Sequence, residues 1–163
     1  MAFKRRKAER QTQAVFTSMS RPDRTMFITE AAQRYWIDKR YSCHVELGLI
    51  KQGNLRADVF CLNTKCDMII TEVKSCWADF NTDKKWHKYL PFCMRMYFAI
   101  DEALFESHGD RIIERIRVSG VGLIVVNKFG SAFVRSNAKR KTMKNEIVAK
   151  LLIKAAWRGG RFA

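Results

Sequence analysis

The sequence predicts one α/β domain built on a mixed β-sheet with helices on its flanks, and three observations carry that reading. Between residues 41 and 74, three short segments rich in Val, Leu, Ile and Phe are separated by turn-forming stretches such as Gly53-Asn54 and Asn63-Thr64. Stretches with apolar residues at helical spacing stand before and after them. Two further runs, 96–100 and 121–127, are almost wholly apolar, and connections long enough to hold a helix lead to each. Strands joined by short turns pair antiparallel and strands joined by long crossovers pair parallel, so one sheet contains both kinds of neighbour.

Taken in chain order, residues 1–24 are polar and basic, with Lys4, Arg5 and Arg6 near the start, and read as an arm ahead of a domain of residues 25–163. Over 25–40, Met26, Phe27, Ala31, Ala32, Tyr35 and Trp36 fall at helical spacing, with Asp23 or Thr25 available as N-cap. Strands follow over 41–50, 56–62 and 67–74, forming an antiparallel meander. A helix over 78–95 carries Phe80, Trp86, Tyr89, Leu90 and Phe92, with Pro91 kinking or ending it. Strand 96–100 leads into a helix over 101–117 that Gly109 can divide. Strand 121–127 then turns through Lys128-Phe129-Gly130-Ser131 to a partner over 132–135, and a basic amphipathic helix over 142–158 closes the domain. There is no internal repeat.

At 163 residues and 47% hydrophobic, the chain can bury a core without disulfides or a structural metal. Its 31 Lys and Arg against 16 Asp and Glu leave a formal charge of +15, more than solubility needs. Such an excess on a small domain suits a polyanion, and DNA is the expected partner, although a basic protein with a merely solvated surface would show the same sum. No run of about 18 apolar residues occurs, and the basic opening Met1 to Lys7 continues into polar residues, so no membrane span or secretory signal is expected. The chain reads as soluble and cytoplasmic, nucleoid-associated when on DNA. The odd set Cys43, Cys61, Cys66, Cys76 and Cys93 reads as reduced and mostly buried. Neither these nor His44, His87 and His108 repeat a zinc-ligand spacing. No small-molecule cofactor is expected, and a homodimer is left open.

In so basic a chain the placement of acids is informative. Asp58 lies in the second strand and Glu72-Val73-Lys74 in the third. Side chains alternate along a strand, so Glu72 and Lys74 share a face while Val73 takes the other, and Asp58 can lie opposite or diagonal to Glu72. Two neighbouring carboxylates call for a cation, and their oxygens suit Mg²⁺ or Mn²⁺. Such an ion polarises a phosphoryl oxygen, with Lys74 placed to orient the attacking water or to stabilise developing charge. A Glu and Lys pair on a solvated sheet face would need no metal at all.

With these residues in place, the αβββαβ order and the Asp58, Glu72-Val73-Lys74 pattern resemble the PD-(D/E)XK nuclease superfamily and its restriction-endonuclease-like core. More closely, Arg56-Ala57-Asp58-Val59, Glu72-Val73-Lys74-Ser75, Ala78-Asp79-Phe80, Asp83-Lys84-Lys85-Trp86, Tyr89, Cys93, Arg95 and Tyr97-Phe98-Ala99 resemble the MmcB-type DNA-repair family. The likeness spans roughly residues 44 to 100, and its second half, ADFxxDxKWxxY, is the more specific string. It implies a Mg²⁺- or Mn²⁺-dependent DNA nuclease of repair, recombination or DNA processing, in which Asp58, Glu72 and the Val73 carbonyl hold the metal and Lys74 assists catalysis. An acid of the first helix is also implied; Glu30 is the slightly preferred position and Glu46 competes for it. Ala57 stands where the superfamily name has a proline.

On a continuous helix Asp79 and Asp83 would share a face, as would Lys85 and Tyr89, with Trp86 beside them. They would then support the metal or grip nucleic acid, while the alternative has Trp86 and Tyr89 filling core and Asp79 capping the helix. Lys139, Arg140 and Lys141, with Lys4, Arg5, Arg6 and the terminal Arg158 and Arg161, are the candidates for phosphate contact. A function of a different class keeps the same fold and acids: a non-catalytic DNA-binding or adaptor protein on a nuclease-like scaffold.

Overall fold

The computed structural model describes residues 11 and 13–159. Helix α1 (Arg21–Asp38) leads into strands β1 (Ser42–Gly48), β2 (Arg56–Leu62) and β3 (Met68–Val73). A short helix α2 (Trp77–Thr82) and a 3-10 helix (Trp86–Phe92) precede β4 (Arg95–Asp101), and α3 (Glu102–Arg117), β5 (Gly122–Val126), β6 (Ala132–Ser136) and α4 (Asn145–Gly159) complete the order. The strands form one sheet in sequence order. It is mixed as the connections predict: β3, β4 and β5 run parallel across the two helical crossovers, and every hairpin-linked pair is antiparallel.

Alternation along the central strands divides the core into two layers. Val59, Cys61, Ile69, Val73 and Ala99 face α1, which meets them with Ile28, Ala31, Ala32 and Trp36. Phe60, Met68, Ile70, Phe98 and Ile100 face the other way and are covered by Phe80 of α2, Trp86 and Tyr89 of the 3-10 helix, Ile112 and Ile116 of α3, and Leu151 of α4. Burying each such large apolar side chain is worth about 1.5–3 kcal/mol, which is what holds the helices against the sheet. The buried Trp36 indole N–H is satisfied by Thr71 Oγ1 at 3.0 Å.

Local chemistry moves several boundaries from their predicted positions. Helix α1 starts earlier because Ser20 is its N-cap, its side chain accepting from Asp23 N–H at 3.2 Å, with Pro22 in the first turn. The division between arm and domain at residue 24 therefore falls inside a helix. Upstream, Phe16 is fully buried, and Gln13 Nε2 donates to the Ala103 carbonyl at 3.1 Å. Gly109 does not divide α3: a Cβ there would come within 2.5 Å of the Phe105 ring, so glycine serves packing within an unbroken helix. Among the described residues no helix is long and apolar enough to cross a membrane.

The largest correction concerns residues 78–95, which do not form one helix. Helix α2 ends at Thr82, Asp83 takes an extended conformation, and its Oδ1 accepts from Lys85 N–H at 2.8 Å. That side-chain bond replaces a helical backbone bond and lets the chain restart as a 3-10 helix containing Pro91. Asp79 and Asp83 thus share no helical face, and neither do Lys85 and Tyr89.

Candidate active site

Strands β2 and β3 pair Val59 with Thr71, and one residue further toward the C-terminal end of β3, Asp58 and Glu72 meet through bonds between side chain and backbone. At this end the ladder is made by side chains. Asp58 N–H donates to Glu72 Oε1 at 3.0 Å, and Val73 N–H donates to Asp58 Oδ2 at 2.7 Å. Each carboxylate is thereby locked to the opposite strand by one oxygen, so their positions are fixed by the sheet and not by flexible rotamers.

Glu72 is 4% exposed and Lys74 9%. Burial pushes the Glu72 carboxyl up to about 9, reinforced by the negative charge of Asp58, and these outweigh the Asp58 N–H and the Lys74 ammonium. Asp58 is also raised, first by burial and further by Glu46 and Asp79, against the Val73 N–H and Lys74. The cation nearest the pair is already engaged: Lys74 Nζ lies 2.7 Å from Asp83 Oδ2. Burial draws the Lys74 ammonium down, but its bond to Asp83 and the surrounding acids leave its pKa above the ordinary lysine value. Asp83 is held below the usual carboxylate range because Lys74 and two backbone N–H groups overcome its burial. Three acids thus stand around one ammonium group, and with Asp83 bonded to it Glu72 keeps its proton up to about 9.

That donor set fits a hard divalent cation, with the Asp58 and Glu72 oxygens and the Val73 carbonyl as the groups to hold it. Among the described residues no group of three or more His, Cys, Asp or Glu side chains is placed to hold a metal ion, so only the carboxyl pair is available to one here. Tyr89 packs in the core and donates its hydroxyl to the Arg56 carbonyl at 3.0 Å; burial first, then Glu72, Asp58, Asp83 and Glu46, raise its pKa.

The remaining predicted residues separate. Glu46, at a left-handed φ of 56° in β1, is paired with Arg56, and its charge reaches Asp58 and Tyr89. Glu30 is exposed and sits 4.0 Å from Arg34 one turn away on α1. Both line a cleft of about 590 Å³ between α1 and β1, and the charge of Glu46 reaches Asp58. Asp79, in the first turn of α2, bonds Arg21 at 2.9 Å and adds its field to Asp58 and Lys74. Lys85 is exposed beyond the site. Trp86 is core, edge-on to Phe98 with ring centroids 5.7 Å apart, and its Nε1 has no partner among the described residues.

Of the basic candidates, Lys4, Arg5, Arg6 and Arg161 lie outside the described residues. Arg140 is tied to Asp67 at 3.0 Å, Lys141 donates to the Ser119 carbonyl at 3.0 Å, and Arg158 donates to the Glu46 carbonyl at 2.7 Å. Lys139 is exposed, its stem against Gly120. Sequence reasoning missed two features: Arg21, placed in the arm although Ser20 and Pro22 mark a helix start there, and the pairing of Lys74 with Asp83, for which no periodic signal exists.

A family model described as DNA repair protein MmcB-like matches residues 12–158. No curated protein matches the chain. Among solved structures, a protein of unknown function from Silicibacter pomeroyi is 23% identical over 80% of this chain and 82% of its own, with a TM-score of 0.66, which shows a shared fold. An fdxN element excision controlling factor protein from Anabaena variabilis is 15% identical over 68% of this chain and 96% of its own, with a TM-score of 0.48. A XisH family protein from Nostoc punctiforme is 14% identical over 66% and 96%, with a TM-score of 0.43.

Proposed function

The chain belongs to the MmcB-like DNA repair protein family, and from that premise we propose that it is a metal-dependent DNA nuclease whose site is Asp58, Glu72 and Lys74. The observation that carries the proposal is the meeting of two carboxyl groups in a protein of net charge +15: Asp83 has taken the Lys74 charge, and Asp58, half-buried, and Glu72, buried, are each bonded to the other's strand, with Glu72 pushed up to about 9 by burial and by Asp58. A divalent cation held between the two would take the place of the Glu72 proton.

Asp58, Glu72 and the Val73 carbonyl would hold Mg²⁺ or Mn²⁺, which when bound supplies Lewis-acid polarisation of the phosphate and a more acidic water. The protein's own part is positional. Backbone N–H groups of Asp58 and Val73 fix the two carboxylates. Asp83 fixes the Lys74 ammonium at the same rim, where it orients the attacking water and stabilises the charge growing on the phosphate. Glu46 and Asp79 add negative field that favours a cation at Asp58.

Full-length protein incubated with labelled single-stranded, duplex and branched DNA, and with RNA, in Mg²⁺, Mn²⁺ or chelator is the test. Cleavage of a DNA substrate that requires metal and disappears in Asp58→Ala supports the proposal. Binding in chelator with no cleavage in either metal overturns it and leaves a DNA-binding adaptor on the same scaffold; cleavage confined to RNA overturns the substrate.

A further inference from the structure

We propose that Cys43 and Cys61 form a reversible disulfide site across strands β1 and β2, closed by a low-molecular-weight disulfide and reopened by thiols. The inference is independent of the nuclease reading. It starts from the ladder, in which Cys43 and Cys61 are direct partners. Opposed residues of an antiparallel pair have Cα atoms about 4.5–5.5 Å apart, inside the range of roughly 4.4–6.8 Å that a disulfide spans. The backbone is therefore already in place. The two sulfurs stand 2.9 Å apart as free thiols, so side-chain rotation alone brings them to a bond.

The two thiols differ in a way that assigns their roles. Cys43 is half-buried on the edge strand of the sheet, where a small reagent can reach it, while Cys61 is fully buried. The hydrogen bond from the Cys61 thiol holds Cys43 below the ordinary thiol range, and burial pushes Cys61 up. Cys43 is thus the attacking group and Cys61 the resolving one. Among the described residues no Lys, Arg, Asp or Glu acts on the pair: β1 and β2 present Val45 with Val59 beside it, and α1 contributes the Gln33 carbonyl, 3.8 Å from the Cys43 sulfur. Of the other cysteines, Cys66 is exposed, Cys76 half-buried and Cys93 buried, and none has a second sulfur at bonding range among the described residues.

The chemistry balances with oxidised glutathione as co-reactant. The Cys43 thiol loses its proton to solvent, and its sulfur attacks one sulfur of glutathione disulfide; a Cys43–glutathione bond forms, the original S–S bond breaks, and one glutathione thiolate leaves. That thiolate takes the Cys61 proton. The Cys61 sulfur then attacks the Cys43 sulfur, and the second glutathione departs as a thiolate and is protonated by solvent. Two protein thiols are oxidised and one small disulfide is reduced to two thiols. The bond would fasten together the two strands that carry Glu46 and Asp58.

Native full-length protein is equilibrated in glutathione buffers of increasing oxidation, quenched with an alkylating agent, digested and mapped by mass spectrometry. The expected result is a peptide pair joined between residues 43 and 61, recovered on adding dithiothreitol, with Cys93 alkylated only after unfolding. The oxidised protein should melt higher by roughly 5–10 °C, because the bond closes a short loop in the unfolded chain. The Cys43→Ser variant, which keeps size and leaves the core residue untouched, should show no cross-link and no such shift. Oxidation that stops at a Cys43–glutathione adduct, thiols at both positions that stay free, or a cross-link that forms only in denaturant would each overturn the proposal.

Discussion

The two ends of strand β3 carry acids in opposite electrostatic conditions. Asp67, just before the strand, accepts from Tyr41 Oη at 3.1 Å, Arg95 Nη1 at 3.2 Å and Arg140 Nη2 at 3.0 Å. These donors overcome its partial burial and hold its pKa below the ordinary value. Glu72, in the penultimate position of the strand, is raised by burial and by Asp58. One fold thus contains an acid whose oxygens accept from two guanidinium groups and a phenol, and a pair in which Glu72 keeps its proton to about 9. The first arrangement ties the loop between β2 and β3 to the segment leading to α4; the second keeps a proton that the metal ion of the proposed site would displace. Under the proposed function, the contrast is between a structural acid and a functional pair.

The sharpest way to break the comparison is to remove an acid from each end. Asp58→Ala or Glu72→Ala should lower metal-dependent DNA cleavage by roughly 10²–10³-fold or more, a size typical of deleting a group that acts on transition-state charge. Circular dichroism and DNA binding in chelator should be retained. Asp67→Ala should do the reverse, lowering the unfolding free energy in urea by about 1–3 kcal/mol while sparing cleavage per folded molecule. An Asp67 variant as inactive as the Glu72 variant would erase the distinction. The acid limb carries the same information. Because folding depresses the Asp67 pKa, its contribution is complete above the ordinary aspartate range and is lost as pH falls through the lower folded value. Asp67→Ala should flatten that part of a stability-against-pH curve.

Glu72 predicts a slope of the other sign. The unfolded chain ionises it near 4.5 and the folded chain holds the proton to about 9, so its contribution is whole below the unfolded value and falls away as pH rises between the two. Glu72→Gln keeps the shape and an acceptor for Asp58 N–H but carries no charge. It should therefore be inactive yet more stable than the parent at pH 8, with the gap closing toward pH 4.5. Thermal melts across that range without metal read it directly. Equal stability at every pH would mean that water reaches Glu72 freely.

What the sequence made legible follows from the range of the interactions involved. Alternation fixed the faces of β2 and β3, so Asp58 and Glu72 were found together, and connection length assigned the parallel pairs β3/β4 and β4/β5. Helix spacing located Trp86 and Tyr89 but not the break at Asp83, because a side chain accepting from Lys85 N–H leaves no mark in an apolar pattern. The same limit hid the Asp67 centre: Tyr41, Arg95 and Arg140 are scattered through the chain and meet only once the sheet is built. At Glu46 a positive φ departs from the strand geometry on which alternation rests, so the direction of its side chain was not legible in the sequence.

The smallest expected effect tests whether the basic cluster serves the Asp67 centre or the DNA. Arg140 is committed to Asp67, whereas Lys139 is exposed and makes no ion pair among the described residues. If Lys139 contacts a phosphate, Lys139→Ala should weaken binding alike for all sequences and reduce the slope of log affinity against log salt by about 1, with the melting temperature unchanged. Arg140→Ala should show the complementary pattern, with the melt shifting down as the Asp67 bonds are lost and the salt slope holding. Fluorescence anisotropy over a salt series, paired with melts of both variants, distinguishes the two. An Arg140 variant that loses slope but not stability would move that guanidinium from the protein's own ion-pair centre to the nucleic-acid surface.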